Sequence, residues 1–290
     1  MTRSGMTLSA TELAEARAVI ARALDEDLRY GPDITTLATV PDGAMATAAM
    51  VTREPGVIAG VDVALLVLDE VLGADGYRVL DRVDDGTALP SGATLLAVEA
   101  LTLGLLTAER TLLNLVCHLS GIATATAAWV EAVHGTTAQI RDTRKTLPGL
   151  RALQKYAVRV GGGVNHRMGL GDAALIKDNH VAAAGSVVAA LRAVRAAAPD
   201  LPCEVEVDSL EQLDAVLAEH PQLVLLDNFP VWQTQIAVQR RAARSPATQL
   251  ESSGGLSLET AAAYAGTGVD YLAVGALTHS VRVLDIGLDM

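Results

Sequence analysis

Residues 142–158, DTRKTLPGLRALQKYAV, gather Arg144, Lys145, Arg151 and Lys155 in a chain with 34 acidic and 22 basic residues and a net charge of -12. The 290 residues hold only three lysines, two of them here and the third, Lys177, in ALIKDNH. Arginine presents a planar fork that grips a carboxylate or phosphate through two parallel hydrogen bonds, and lysine presents a point charge. Arg141, Arg144, Lys145, Arg159, Arg167 and Lys177 all fall in or beside strand-like segments. Several such cations at one mouth would suit a ligand with more than one negative group. Arg151 and Lys155, one helical turn apart, fit a solvated helix face instead. Lys177 keeps three readings: Schiff-base nucleophile, anion clamp, or half of a buried ion pair.

Carboxylates supply the opposite charge. Strand alternation in EVEVD sends Glu204, Glu206 and Asp208 to one face and Val205 and Val207 to the other. Inward carboxylates at a strand end repel unless Lys177, an arginine, Mg²⁺ or a cationic reaction centre lies near them. Asp208 and Asp227 are equally readable as a helix cap or an ion-pair partner. SSGG (252–255) and VGAL (274–277) each follow a strand. Backbone N–H groups in such turns, with a helix start behind them, cradle a phosphate without needing charge. His166, directly before Arg167, suits donation to a ligand carboxylate or a structural bond. His118, on an apolar helix, reads as a packed histidine. No HExxH, Cys/His cluster, GxGxxG or P-loop occurs, so neither a zinc site nor a dinucleotide fingerprint is expected.

Elements must hold these groups. Residues 9–28 have helical spacing, and Ser9 with Glu12 matches a capping box. AMATAAMV and the runs between 57 and 100 alternate short strands with one amphipathic helix, VDVALLVLDEVLG. Residues 102–134 read as two helices separated near Gly121, with a domain change near 115. A βα rhythm follows, with strands TAQIRDT, VRVGGG, AALIKDN, PCEVEVD, LVLLDN, TQLESSGG and DYLAVGAL. The helices between most of them are long enough for parallel crossovers. The strands end in polar residues, where barrels and doubly wound sheets place their sites. Seven strands or fewer leave an eight-stranded barrel unclosed.

Composition narrows the class. Hydrophobic residues make up 50% of the chain and aromatics 3%, with 25 glycines, which suits small-residue helices over a parallel sheet. Cys117 and Cys203 make no disulfide framework, so an intracellular compartment is expected. MTRSGMTLSATELAEARAVI has no uninterrupted apolar core of a signal peptide, and no run reaches the roughly 18 apolar residues of a membrane span. The charge of -12 argues against a polyanionic partner such as DNA, though not against a small anion in a local basic pocket.

Six segments in order resemble the quinolinate phosphoribosyltransferases, the carboxylating nicotinate-nucleotide pyrophosphorylases. They are AERTLLNLVCHLSGIAT, DTRKTLPGLRALQKYAVRVGGGVNHRMGLGDAALIKDNH, EVEVD, LLDN, ESSGG and VDYLAVGALTHS. The resemblance implies an α/β protein: an N-terminal α/β sandwich over 1–115, then an open, incomplete α/β barrel over 116–290, with the tail 280–290 returning to the sandwich. It implies a cytoplasmic homodimer with shared active sites, or a higher oligomer built from it, without nucleic acid or membrane. The implied reaction joins quinolinate and 5-phosphoribosyl 1-diphosphate into nicotinate mononucleotide, diphosphate and CO₂, in NAD biosynthesis. Mg²⁺ would accompany the diphosphate, with no organic cofactor.

On this template Lys145, Lys177, Glu206 and Asp227 are the catalytic groups. Thr143, Arg144, Lys145, His166, Arg167 and Lys177 line the substrate site with Glu206 and Asp227, and Arg110 comes from the partner subunit. Ser253, Gly254, Gly255, Val274, Gly275 and Ala276 form the phosphate loops. Glu206 and Asp227 are also the metal candidates, directly or through water or diphosphate. Three other readings stand beside this one: a related transferase using a different pyridine or small acid, a barrel aldolase with Lys177 as the Schiff base, and a non-catalytic phosphate-binding dimer.

Overall fold

The computed structural model describes residues 7–290; the first six residues of the stretch read for a leader lie outside it. The chain opens with helices α1 (Ala10–Leu28) and α2 (Ile34–Thr39), then β1 (Met45–Thr52), β2 (Gly56–Val57) and α3 (Val61–Leu72). Next come β3 (Tyr77–Arg82), β4 (Ala88–Leu89), β5 (Thr94–Leu101), α4 (Thr102–Ala132), β6 (Gln139–Arg141) and α5 (Arg151–Val160). Then follow β7 (Ala174–Ile176), α6 (Asp178–Ala184), α7 (Val187–Ala197), β8 (Cys203–Val207) and α8 (Leu210–Leu217). The last are β9 (Leu223–Asp227), α9 (Val231–Arg244), β10 (Gln249–Ser253), α10 (Leu258–Ala265), β11 (Tyr271–Ala273), α11 (Ala276–His279) and β12 (Ile286–Asp289). Two compact units result. One takes the chain up to Ala127 with Thr146–Gly162 and Ala276–Met290; the other takes Ala128–Lys145 and Gly163–Gly275.

The first unit is built on an antiparallel sheet of order β12-β1-β5-β3. Helix α3 packs on β3 and β5, and α1 packs on α3 and α5. Helix α1 starts where its residues demand: Ser9 N donates to the Glu12 carboxylate at 2.8 Å, and Ser9 Oγ accepts from Glu12 N. Arg159 also donates to Glu12, at 2.7 Å. That cation therefore serves packing in this unit.

Three local expectations change here. Residues 102–132 form one unbroken helix of 31 residues, where two were expected. Gly121 does not end it: a Cβ there would lie 2.4 Å from Arg282 O, so the glycine marks a close backbone approach. By length and hydropathy α4 is of membrane-crossing kind, but Leu105, Leu112, Val116, Leu119 and Ile122 are buried in the protein. The VRV of VRVGGG ends α5 and is not a strand. Residues 152–158 of α5 are all buried, Lys155 with no exposed surface, so the solvated-face reading of Lys155 fails. A helix covered on every side has no wet face for a charge pair. Its polar groups are satisfied inside: Gln154 Nε2 donates to Thr278 O at 2.9 Å and its Oε1 accepts from Leu147 N at 2.9 Å. Gln154 also meets the ring of half-buried His118 at 2.8 Å.

The second unit is a parallel sheet of order β6-β11-β10-β9-β8-β7. No pairing joins β6 to β7 among the described residues, so the barrel is open, as expected from the strand count. Val164, in the GGGV segment, bridges Arg141 at the β6 edge. Strand centres such as Val224–Leu226 are buried, since helices cover one face: α7 and α8 pack on β8 and α10 on β11. The charged ends are left to the mouth.

Candidate active site

The C-terminal ends of β6 to β11 surround a cleft of about 460 Å³. Thr143, Arg144 and Lys145 follow β6, and His166 and Arg167 follow the bridging strand residue Val164. Lys177 follows β7 as the N-cap of α6, Glu206 lies on β8, Asp227 ends β9 and Ser253 ends β10. The fold thus gathers eight of the expected substrate and catalytic groups into one cleft, and Leu175, Leu225 and Ala273 add apolar wall. A larger cavity, about 660 Å³ in the first unit, is lined mainly by Leu, Val, Pro and Gly and holds no basic residue or histidine. The basic groups line the smaller one.

Charge is arranged by height in the cleft. Lys177 Nζ lies 3.6 Å from Glu206 Oε2, which makes the lysine an ion-pair partner that is still half exposed. Burial raises the Glu206 pKa; Lys177 opposes this and Asp227 adds to it. Asn228 stands in the left-handed region (φ 56°), where its Nδ2 donates to Asp227 Oδ2 at 2.9 Å and its N–H to Ser253 O at 2.8 Å. Burial lowers the Arg167 pKa, with Arg144 as a like charge beside it. Arg144 Nε is buried with no partner in the protein, a donor ready for an anion.

The cleft floor is a buried ionic layer. Arg141 Nη1 donates to Glu251 Oε2 at 2.7 Å and its guanidinium lies 4.7 Å above the Tyr271 ring. His166 Nε2 is 2.7 Å from Glu204 Oε2, while its Nδ1 accepts the Arg167 N–H at 2.7 Å. The donor expected for a ligand carboxylate is therefore turned to Glu204. Asp142, with no exposed surface, accepts the His166 N–H at 2.8 Å and an Asn165 amide hydrogen. Burial pushes Glu204 and Glu251 up to about 7 each, against the pull of Arg141.

The remaining expected residues divide. Gly254 (φ 88°) and Gly255 (φ 61°) make a left-handed turn after Ser253, where a Cβ on Gly254 would strike Asn228 Oδ1. Only glycine tolerates that path. Val274, expected as a phosphate contact, gives its N–H to Arg141 O at 2.8 Å and buries its side chain, because it still continues the sheet. Gly275 follows in this unit, and Ala276 opens α11 in the other. Arg110 stands exposed on α4, in a groove of the first unit with His118 and Arg282. Asp208 is exposed just before the α8 N-cap, Ser209. Glu251 and Asp142 were missed. Glu251 shares the strand face of Ser253 by two-residue alternation, a signal that ESSGG carried.

Two acidic sets could be weighed for Mg²⁺. His166, Glu204 and Glu251 place ligand atoms within 4.8 Å of one another. Mg²⁺ prefers oxygen donors and keeps several waters, whereas this set is buried, includes an imidazole and has Arg141 on Glu251. Glu206 and Asp227, open to the cleft, fit the ion: one or two carboxylates plus ligand phosphate is its usual company.

Family models for the N-terminal and C-terminal domains of quinolinate phosphoribosyl transferase match residues 33–120 and 122–289. The nicotinate-nucleotide pyrophosphorylase [carboxylating] of Mycobacterium leprae is 79% identical over 283 residues, covering 98% of this chain and 100% of the relative. The probable enzyme of the same name from Bacillus subtilis is 40% identical over 84% of this chain and 83% of its own. The crystal structure of NadC from Streptococcus pyogenes superposes with a TM-score of 0.90 at 38% identity, covering 98% of each chain. Spanning both domains, these matches place the chain in the quinolinate phosphoribosyltransferase family.

Proposed function

We propose that this chain transfers the 5-phosphoribosyl group of 5-phosphoribosyl 1-diphosphate to the nitrogen of quinolinate with loss of CO₂, forming nicotinate mononucleotide for NAD biosynthesis. The observation that carries this is the split of charge within one cleft: Arg144, Lys145, Arg167 and Lys177 stand with Glu206 and Asp227 at the strand ends. A dicarboxylate needs the cations, and an electron-poor ribose carbon needs the carboxylates.

The chemistry follows from those roles. As the bond from the anomeric carbon to diphosphate breaks, its electron pair leaves with the diphosphate and positive charge grows on the sugar. Glu206 and Asp227 stabilise that charge as fixed electrostatics, with Asn228 holding Asp227 in place. The pyridine nitrogen attacks, so no residue need act as a nucleophile. Arg144, Lys145 and Arg167 orient the two carboxylates, and Leu175, Leu225 and Ala273 offer apolar surface to the ring. The carbon–carbon bond to the carboxylate beside N⁺ then breaks. Its electron pair stays on the ring carbon next to N⁺, CO₂ departs, and the carbon takes a proton from water. Mg²⁺ held by Glu206 and Asp227 would supply neutralisation of the diphosphate. The turn at Ser253–Gly255 suits the 5-phosphate. Arg110, exposed on α4, would complete the site of a second copy in a cytoplasmic homodimer.

Turnover with quinolinate and the phosphoribosyl donor, read as CO₂ release, tests the reading. Arg144→Ala and Glu206→Ala should each lower kcat/KM by about 10²-fold or more. Retained turnover in both variants would sink the site assignment, and equal use of nicotinate would sink the dicarboxylate reading.

A further inference from the structure

The two nitrogens of His166 face different partners, and those partners fix its protonation. The Arg167 main-chain N–H can only donate, so Nδ1, 2.7 Å away, must carry a lone pair. The hydrogen of the neutral ring then sits on Nε2, which points at Glu204 Oε2 at 2.7 Å. Both histidine and glutamate are over nine-tenths buried. On the other side the His166 N–H is tied to Asp142 Oδ1 at 2.8 Å. The next residue is Arg167, whose Nη1 donates to Ala173 O at 2.9 Å and whose side chain lines the cleft.

We infer that Glu204 is a positioning residue for the transfer, fixing His166 as the Nε2–H tautomer so that the ring holds the Arg167 amide and aims its guanidinium at the dicarboxylate. The ring is then a strut between β8 and the Arg167 backbone. With the tautomer reversed, an Nδ1–H would meet the Arg167 N–H head on and drive that peptide away. The histidine needs an acceptor at position 204, not a negative charge.

The inference rests on the proposed reaction for its kinetic arm only. Nitrogen NMR of the ¹⁵N-histidine-labelled protein, with the His166 signals assigned by their loss in His166→Asn, reads the tautomer without any substrate. An Nε2–H ring is expected; an Nδ1–H ring or an imidazolium at neutral pH would overturn the inference. Glu204→Gln keeps an acceptor and should leave the KM for quinolinate within about twofold, whereas Glu204→Ala should raise it about tenfold or more with the donor KM little changed. A Glu204→Gln enzyme with the KM of a tenfold-impaired one would also overturn it, as would an unchanged KM in folded Glu204→Ala. Should Glu204→Ala fail to fold, the NMR result and the Gln variant still decide. A wild type that never turns over quinolinate would instead defeat the proposed reaction and leave the tautomer result standing.

Discussion

Glu251 reaches no solvent, and it shares the cleft floor with Arg141, Glu204 and His166. Burial, then the neighbouring Glu204 charge, raises its pKa to about 7, and Arg141 and His166 pull the other way. The folded state therefore binds this proton more tightly than the unfolded chain does. Its contribution to stability is fully present below the ordinary glutamate range and is lost as pH rises from there towards 7. Urea midpoints across pH 4.5–7.5 should fall with rising pH in the wild type, and that slope should be shallower in Glu251→Gln. An equal slope in both would show that Glu251 is ionised throughout. Arg141, by contrast, is pushed upward: burial works against its charge, but Glu251 and Glu204 outweigh it. It belongs to the floor and not to the substrate, a point on which residue type alone was silent.

Among the elements, α4 shows how a glycine misleads. Helix propensity favours Gly121→Ala by about 1 kcal/mol. The new Cβ, however, would sit 2.4 Å from Arg282 O and 2.9 Å from Val283 Cα, both backbone atoms that cannot rotate away. Overpacking of this kind costs about 1–3 kcal/mol, so the clash wins and the variant should melt several degrees lower by calorimetry. A raised Tm would mean that the segment 282–284 yields freely. Helix α5 makes the same point with charge: an Arg and a Lys four apart looked like a wet face, yet residues 152–158 are buried throughout. Periodicity locates a helix; only its neighbours say how many of its faces are covered.

At the scale of the whole molecule, the open sheet sets Lys177, Glu206, Asp227 and Ser253 on or just after four adjacent strands of one mouth. Arg110 is in the other unit, exposed on α4. If it serves a second copy, Arg110→Ala and Arg144→Ala, each nearly inactive, should complement when mixed subunits re-form. Random pairing then leaves one intact site in half of the dimers, about a quarter of wild-type activity. No recovery after denaturation and refolding of the mixture would place Arg110 in its own subunit's site or in none.

Much of this was legible in the chain. The βα rhythm, the count of strands and their charged ends were enough for an open parallel barrel, because a strand covered on both faces can be polar only where it emerges. The RK pair after β6, His166 and Arg167, Lys177 and Glu206 all reached the cleft. What local pattern cannot carry is the partner each charge receives. For Lys155, Arg159, Arg141 and His166 the sequence showed the residue type but not the partner. One is buried in a covered helix, one binds Glu12, one binds Glu251, and one gives its ring hydrogen to Glu204. Side-chain type and spacing determined the fold and the charge of the site. Which of those charges face a ligand was decided by contacts between residues up to 147 positions apart, which exist only once the chain has folded.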